Sequence, residues 1–137
     1  MNANKRIAIF DDDQDLLTIM KYVLERKGWT VFSSSDSTNM LEKISTFQPA
    51  VIIMDNNIPE YGGVVNTQLI KQQQNLRHIP VIIFTANDDI ENLAKEAGAD
   101  AWLPKPFHLE NLYEVIGRIR PETLAQLTHT DSRVTEK

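Results

Sequence analysis

Three stretches of this chain stay apolar for four residues without a break: Ile7-Ala8-Ile9-Phe10, Val51-Ile52-Ile53-Met54 and Val81-Ile82-Ile83-Phe84. A strand with one wet face alternates apolar with polar residues. Unbroken runs of this length mark strands covered on both faces, as in a parallel sheet sandwiched by helices. Two shorter runs, Thr30-Val31-Phe32 and Ala101-Trp102-Leu103, complete a set of five. Between the runs, apolar residues recur at helical spacing. Leu16, Met20, Val23 and Leu24 mark a first helix closed by Gly28; Leu41, Ile44 and Phe47 mark a second, stopped before Pro49. Val65, Leu69 and Ile70 give a weaker third stripe. Ile90, Leu93, Ala94 and Ala97 form a fourth, ended by Gly98 and opened by Asp88 and Glu91 in the spacing of an acidic capping box. Leu109, Leu112, Tyr113, Ile116 and Ile119 line a fifth, which Pro121 should end. Strands alternating with helices in this way predict an α/β, doubly wound parallel sheet with right-handed crossovers. Such sheets bind ligands beyond the C-terminal ends of their strands.

Composition narrows the function classes. With 137 residues the chain is long enough for one domain with a real core. It has no cysteine, which excludes disulfides, zinc–thiolate sites and thiol catalysis. The net charge is −5, and Lys and Arg are scattered without a basic stripe, so direct nucleic-acid binding is disfavoured. No apolar run approaches the length of a membrane span, so membrane insertion is not expected. Met1 to Lys5 lead straight into the first strand without an apolar leader, which makes a cytoplasmic location the expectation.

The chemistry lies where the strands end. Asp11, Asp12 and Asp13 follow the first strand, Asp55 the third, Thr85 the fourth and Lys105 the fifth. In a parallel sheet these residues converge on one edge. Gathered carboxylates repel unless a cation sits among them. Magnesium typically takes one or two carboxylates and completes its shell with water and phosphate oxygens. A lysine supplies a point charge for a phosphate and a threonine a hydroxyl donor. Together these are the parts of phosphoryl transfer. Taken singly, each has a plainer reading: an Asp cluster caps a helix, Thr85 ends a strand, Lys105 is solvated. Their joint placement after four strands argues against coincidence.

Four segments carry a family resemblance: Ile9-Phe10-Asp11-Asp12-Asp13, Met54-Asp55-Asn56-Asn57-Ile58-Pro59-Glu60-Tyr61-Gly62-Gly63, Phe84-Thr85-Ala86, and Gly98-Ala99-Asp100-Ala101-Trp102-Leu103-Pro104-Lys105-Pro106-Phe107. Over residues 5–120 the chain resembles the receiver domain of two-component response regulators. The resemblance implies a flavodoxin-like (βα)5 fold with strand order 2-1-3-4-5. It implies Asp55 as the phosphoacceptor, with magnesium held by Asp12, Asp55 and the backbone carbonyl of Asn57, and by Asp11 through water. It implies Lys105 as the phosphoryl-pairing cation, reached through a cis Lys105–Pro106 bond, and Thr85 as the switch hydroxyl. The switch-aromatic position is filled by Trp102, larger than the family's usual Tyr or Phe; packing on the surface is its plainer reading. The implied phosphodonor is a sensor histidine kinase or histidine phosphotransfer protein. The implied product is signalling by contact, through a downstream partner on about residues 88–119, by a monomer or a weak phosphorylation-dependent dimer. The protein would then catalyse only its own phosphorylation and dephosphorylation.

Residues 121–137 are too few for an effector domain. They read as a short extension, with one or two helical turns over Glu122 to Leu127 and a frayed end from Thr128. Asp13 reads as a source of negative potential or a helix cap that need not touch the metal, and His78, His108 and His129 as surface residues. Three other readings compete. A haloacid-dehalogenase-like phosphatase also uses an Asp nucleophile with magnesium, but its nucleophile follows the first strand, which would be Asp11. A degenerate receiver would act as a binding module only, yet such chains usually lack an acidic residue, the lysine or the phosphoacceptor. A calcium loop on Asp11, Asp13 and Asp15 is excluded, because Leu16 stands where the loop needs glycine.

Overall fold

The computed structural model describes residues 4–119. Its elements run β1 (Arg6–Phe10), α1 (Gln14–Arg26), β2 (Thr30–Ser34), α2 (Met40–Phe47), β3 (Val51–Asp55), α3 (Gly62–Gln72), β4 (Val81–Thr85), α4 (Ile90–Ala97), β5 (Ala101–Pro104) and α5 (Leu109–Ile119). All strand pairings are parallel, in the order β2-β1-β3-β4-β5. The expected doubly wound α/β sheet is therefore present in the expected order. The expectations for Arg120 and beyond lie outside the described residues.

The sheet divides two cores. On one face Ile7, Ile9, Val51, Ile53, Ile82, Phe84 and Leu103 meet Leu17, Met20 and Leu24 of α1 and Leu112, Val115 and Ile116 of α5. On the other, Ala8, Phe10, Ile52, Met54, Val81 and Ile83 meet α2, α3 and α4 through Met40, Ile44, Ile70, Ile90 and Ala94. Residues of both cores alternate along β1, β3 and β4. That is why those runs are apolar throughout: every position is covered from one side or the other. β5 lies at the edge of the sheet, and there only Ala101 and Leu103 are buried.

The same alternation places the chemistry. Continuing Ile7 and Ile9 by two residues leads to Asp11. Continuing Val51 and Ile53 leads to Asp55, and continuing Ala101 and Leu103 leads to Lys105. Asp55 sits directly across from Phe84 in the register of β3 and β4. The sequence thus sends Asp11, Asp55, Phe84 and Lys105 to the α1/α5 side of one sheet edge.

Two local expectations change. The third helix buries its expected stripe only in part: Ile70 is buried and Leu69 packs against the core, but Val65 is 39% exposed, and Gly63, Asn66 and Thr67 face inward beside Ile70. The cause lies in the loop before it. The amide of Gly63 donates to the Asn56 carbonyl at 3.0 Å, and a Cβ on Gly63 would lie 2.5 Å from the Asp55 carbonyl oxygen. With Gly63 pinned against that loop, the face at i, i+3, i+4 and i+7 is the buried one, whatever residues occupy it. Nor does Asp88 cap α4. The N-cap is Asp89, which makes no side-chain cap bond; Glu91 instead pairs with Lys95 at 3.3 Å. The other end of α4 is as read, with Gly98 in the left-handed region at φ 77°.

The Gly63 contact yields a first prediction. Gly63→Ala drives a methyl into backbone atoms that cannot rotate away, namely the Asp55 carbonyl and the Asn56 Cα at 2.9 Å. Urea unfolding should show a loss of about 1–3 kcal/mol, the usual range for overpacking. Unchanged stability would show that this contact relaxes freely.

Candidate functional site

Three loops build the site. The first begins at Asp11, which is fully buried. Its Oδ1 accepts the Asp13 amide at 2.8 Å and its Oδ2 accepts the Lys105 ammonium at 2.8 Å. Asp12 is exposed, and Asp13 serves as the N-cap of α1 by accepting from the Leu16 amide at 3.2 Å, as its position suggested. The second loop begins at Asp55, 1% exposed, whose Oδ1 accepts from the Lys105 ammonium at 3.3 Å. Its Oδ2 is buried with no hydrogen-bond partner. Asn57 lies exposed two residues further along this loop. The third loop carries Lys105 on a cis Lys105–Pro106 bond, as the resemblance implied, and its amide donates to the Thr85 carbonyl at 2.9 Å.

The structure therefore brings together Asp11, Asp12, Asp55 and Lys105. One carboxylate oxygen from each of the three aspartates lies within 4.8 Å of the others. Thr85 borders the group from the end of β4, nearly buried, with its hydroxyl accepting the Asn87 amide at 3.2 Å. Trp102 is not part of the cluster. It lies on β5 and is 37% exposed. It lines a shallow groove with Pro104, Pro106, Asn111, Glu114 and Arg118. His78 and His108 are exposed.

Charge is unbalanced here. Three carboxylates against one ammonium leave a formal −2 when all are ionised. At an effective dielectric of 20, two unit charges 4 Å apart interact by about 4 kcal/mol. Burial pushes the Asp55 carboxyl above its ordinary range, and the neighbouring Asp11 charge pushes it further; the Lys105 ammonium opposes both without cancelling them. For Lys105, burial disfavours the ammonium, but the bond to Asp11 and the charges of Asp55 and Asp11 outweigh it and hold the group protonated. The donor set is all oxygen. With one buried oxygen of Asp55 unpartnered, it suits a hard divalent cation such as magnesium, which Asp12 and Asp55 would ligate directly.

The raised Asp55 value has a sign that can be measured. The native state holds that proton more tightly than the unfolded chain does. Asp55 therefore adds stability below its unfolded pKa and loses it as pH rises through the higher native value. Without divalent cations, Asp55→Asn should melt above the parent at neutral pH, by a few degrees, since 1 kcal/mol is worth about 4 °C in a domain of this size. The gap should shrink as pH falls towards about 4, the ordinary Asp value. A variant that melts lower at neutral pH would show that ionised Asp55 is net stabilising.

Comparison with known proteins agrees with this geometry. The family model for the response regulator receiver domain matches residues 7–117. The alkaline phosphatase synthesis transcriptional regulatory protein PhoP of Bacillus subtilis is 34% identical over 76% of this chain. The chain spans only 43% of that relative's length. The polar-differentiation response regulator DivK of Brucella ovis is 28% identical over 82% of this chain and is matched over 93% of its own length. The receiver domain of a sensor histidine kinase from Pseudomonas aeruginosa, solved with a magnesium ion coordinated in its active-site cleft, superposes with a TM-score of 0.75. That pair is 28% identical, over 85% of this chain and 97% of the other. With strand order, edge chemistry and family match in agreement, this chain belongs to the response regulator receiver domain family.

Proposed function

We propose that the protein receives a phosphoryl group on Asp55 from a phosphohistidine, with magnesium bound, and passes the signal on by contact with another protein. The observation that carries the reading is how differently Asp11 and Asp55 use their oxygens. Both oxygens of Asp11 are engaged, one by the Asp13 amide and one by Lys105. Asp55 keeps Oδ2 unpartnered. A carboxylate with a free oxygen is the better nucleophile, and this favours Asp55 over the Asp11 that a haloacid-dehalogenase-like phosphatase would use. In the reaction an Asp55 oxygen bonds to phosphorus, the phosphorus–nitrogen bond of the donor breaks, and the imidazole departs. Lys105 already lies against Asp55 and is placed to follow the charge onto the phosphoryl oxygens. Bound at Asp12, Asp55 and the Asn57 carbonyl, with Asp11 behind a water, magnesium would neutralise the carboxylates and the incoming phosphate. Histidine kinases and phosphotransfer proteins are the donor class, and the protein's own chemistry is confined to gaining and losing this group.

Acetyl phosphate tests the reaction without a kinase. Labelling should require a divalent cation. Asp55→Asn should abolish it, and Asp12→Asn should slow it at least a hundredfold by removing a metal ligand. Robust labelling of Asp55→Asn, or labelling in excess chelator, would refute the assignment.

The signal leaves, in this reading, through residues 88–119. Thr85 lies just before this segment and Lys105 within it, between β5 and α5, and the two are already tied by the 2.9 Å backbone bond, so engaging a phosphoryl group draws on the segment at its start and in its middle. Trp102 stands exposed on that face, a residue type that often anchors interfaces. Among the described residues no helix is long and apolar enough to cross a membrane. Amide exchange with beryllofluoride and magnesium should change protection around Asp55 and within residues 88–119. A change confined to the Asp55 loop would rule out this output face.

A further inference from the structure

Lysine is a poor choice for a fixed point charge. Its stem is long and flexible, and each carboxylate bond it makes leaves it free to swing. Lys105 makes two, to Asp11 and Asp55, and both lie on the carboxylate side of the ammonium. Another group supports it as well. The Phe84 ring centroid lies 4.6 Å from Nζ, inside the range of a cation–π contact. Phe84 is fully buried and sits directly across the sheet from Asp55, so its place relative to the phosphoacceptor is set by backbone pairing. The ring is itself braced. Phe107 meets it edge-on, at 5.9 Å and 64°. Phe107 belongs to the same loop as Lys105, two residues on.

We propose that Phe84 is a positioning residue for Lys105: its ring face is a platform that confines the ammonium beside Asp55 before and after phosphoryl transfer. The physical argument concerns what happens to the lysine when its partner changes. On transfer, the charge that Asp55 Oδ1 presents moves outward onto phosphoryl oxygens, and the ammonium must follow. A hydrogen bond to a fixed acceptor would resist that movement. The attraction of a ring face is broad, so Nζ slides across it without losing contact. The ring also shields one side of the ammonium from water, which strengthens its pull on phosphate. An aliphatic residue at position 84 would fill the core equally well and supply neither effect. In a buried strand the sequence shows only that a large apolar residue is wanted.

The inference rests on the reading of Lys105 as the phosphoryl ligand, and the test separates the two. Phenylalanines carrying one, two and three ring fluorines are placed at position 84 of the full chain. Fluorination weakens the negative ring face with little change of shape. Three things are measured: beryllofluoride affinity in magnesium, the rate of labelling by acetyl phosphate, and the NMR shift of the Lys105 ε-methylene protons in metal-free protein. Affinity and rate should fall stepwise, reaching roughly three- to thirtyfold, the span between an exposed and a desolvated cation–π contact. The ε-methylene resonance should lie upfield in the parent and return to its ordinary position in Phe84→Leu. In a Lys105→Met background the dependence on fluorine should vanish. If Lys105→Met weakens beryllofluoride binding but the fluorine series is flat, or if the ε-methylene protons show no ring shift, the Phe84 platform is wrong and the Lys105 reading stands. If Lys105→Met leaves binding unchanged, both fall.

Discussion

One ammonium held against two buried carboxylates organises this molecule. Lys105 reaches Asp11 at 2.8 Å and Asp55 at 3.3 Å, and each of these residues comes from a different strand. The three strands must therefore end at the same level and on the same face. Strand register supplies both conditions. Parallel pairing of β1, β3, β4 and β5 aligns their C-terminal ends, and two-residue alternation sends Asp11, Asp55 and Lys105 to the α1/α5 side. The cluster is then a consequence of the sheet, and the sheet must be stable enough to hold it. The apolar runs of β1, β3 and β4, buried on both faces, meet that requirement.

The cluster remains electrostatically incomplete. Three carboxylates and one ammonium carry a net negative charge, and Asp55 retains an oxygen with no partner. Completing it takes positive charge from outside, and phosphoryl chemistry then needs a second anion accommodated in the same place. A cation meets the first demand and prepares for the second. This charge imbalance lies at the C-terminal ends of the strands. The opposite edge of the sheet is settled: Lys71 binds Asp100 at 2.8 Å along with the carbonyls of Arg77 and Ile79, and Asp100 also accepts the Val81 amide. There Lys71 and Asp100 are paired with each other and with backbone, whereas the Asp55 carboxylate keeps an oxygen without a partner.

Much of this was legible in the sequence, and the failures are instructive. The central strands were readable because double-sided burial leaves unbroken apolar runs, whereas their order in the sheet came from the family resemblance. The convergence of Asp11, Asp55 and Lys105 on one edge followed from their places just after strands of a parallel sheet. Helix α3 was misread at Val65 because its orientation is set by a glycine. Gly63 packs against the Asp55 carbonyl, and this buries Asn66 and Thr67 while turning Val65 outward. Apolar periodicity cannot register a contact made by a missing side chain. The α4 cap slipped by one residue, from Asp88 to Asp89, because neighbouring acidic residues offer equivalent signals and the loop settles between them. The Phe84 platform was invisible for a different reason. A core phenylalanine and a cation-binding one read identically until the lysine is seen above the ring.

The central claim is that Asp55, of all the carboxylates at this edge, takes the phosphoryl group. Borohydride reduces an aspartyl phosphate to homoserine and leaves free carboxylates untouched. Protein labelled with acetyl phosphate in magnesium, reduced and sequenced by mass spectrometry, should carry homoserine at position 55 and aspartate at positions 11, 12 and 13. Homoserine at position 11, or none at 55 in protein shown to be labelled, would contradict the account.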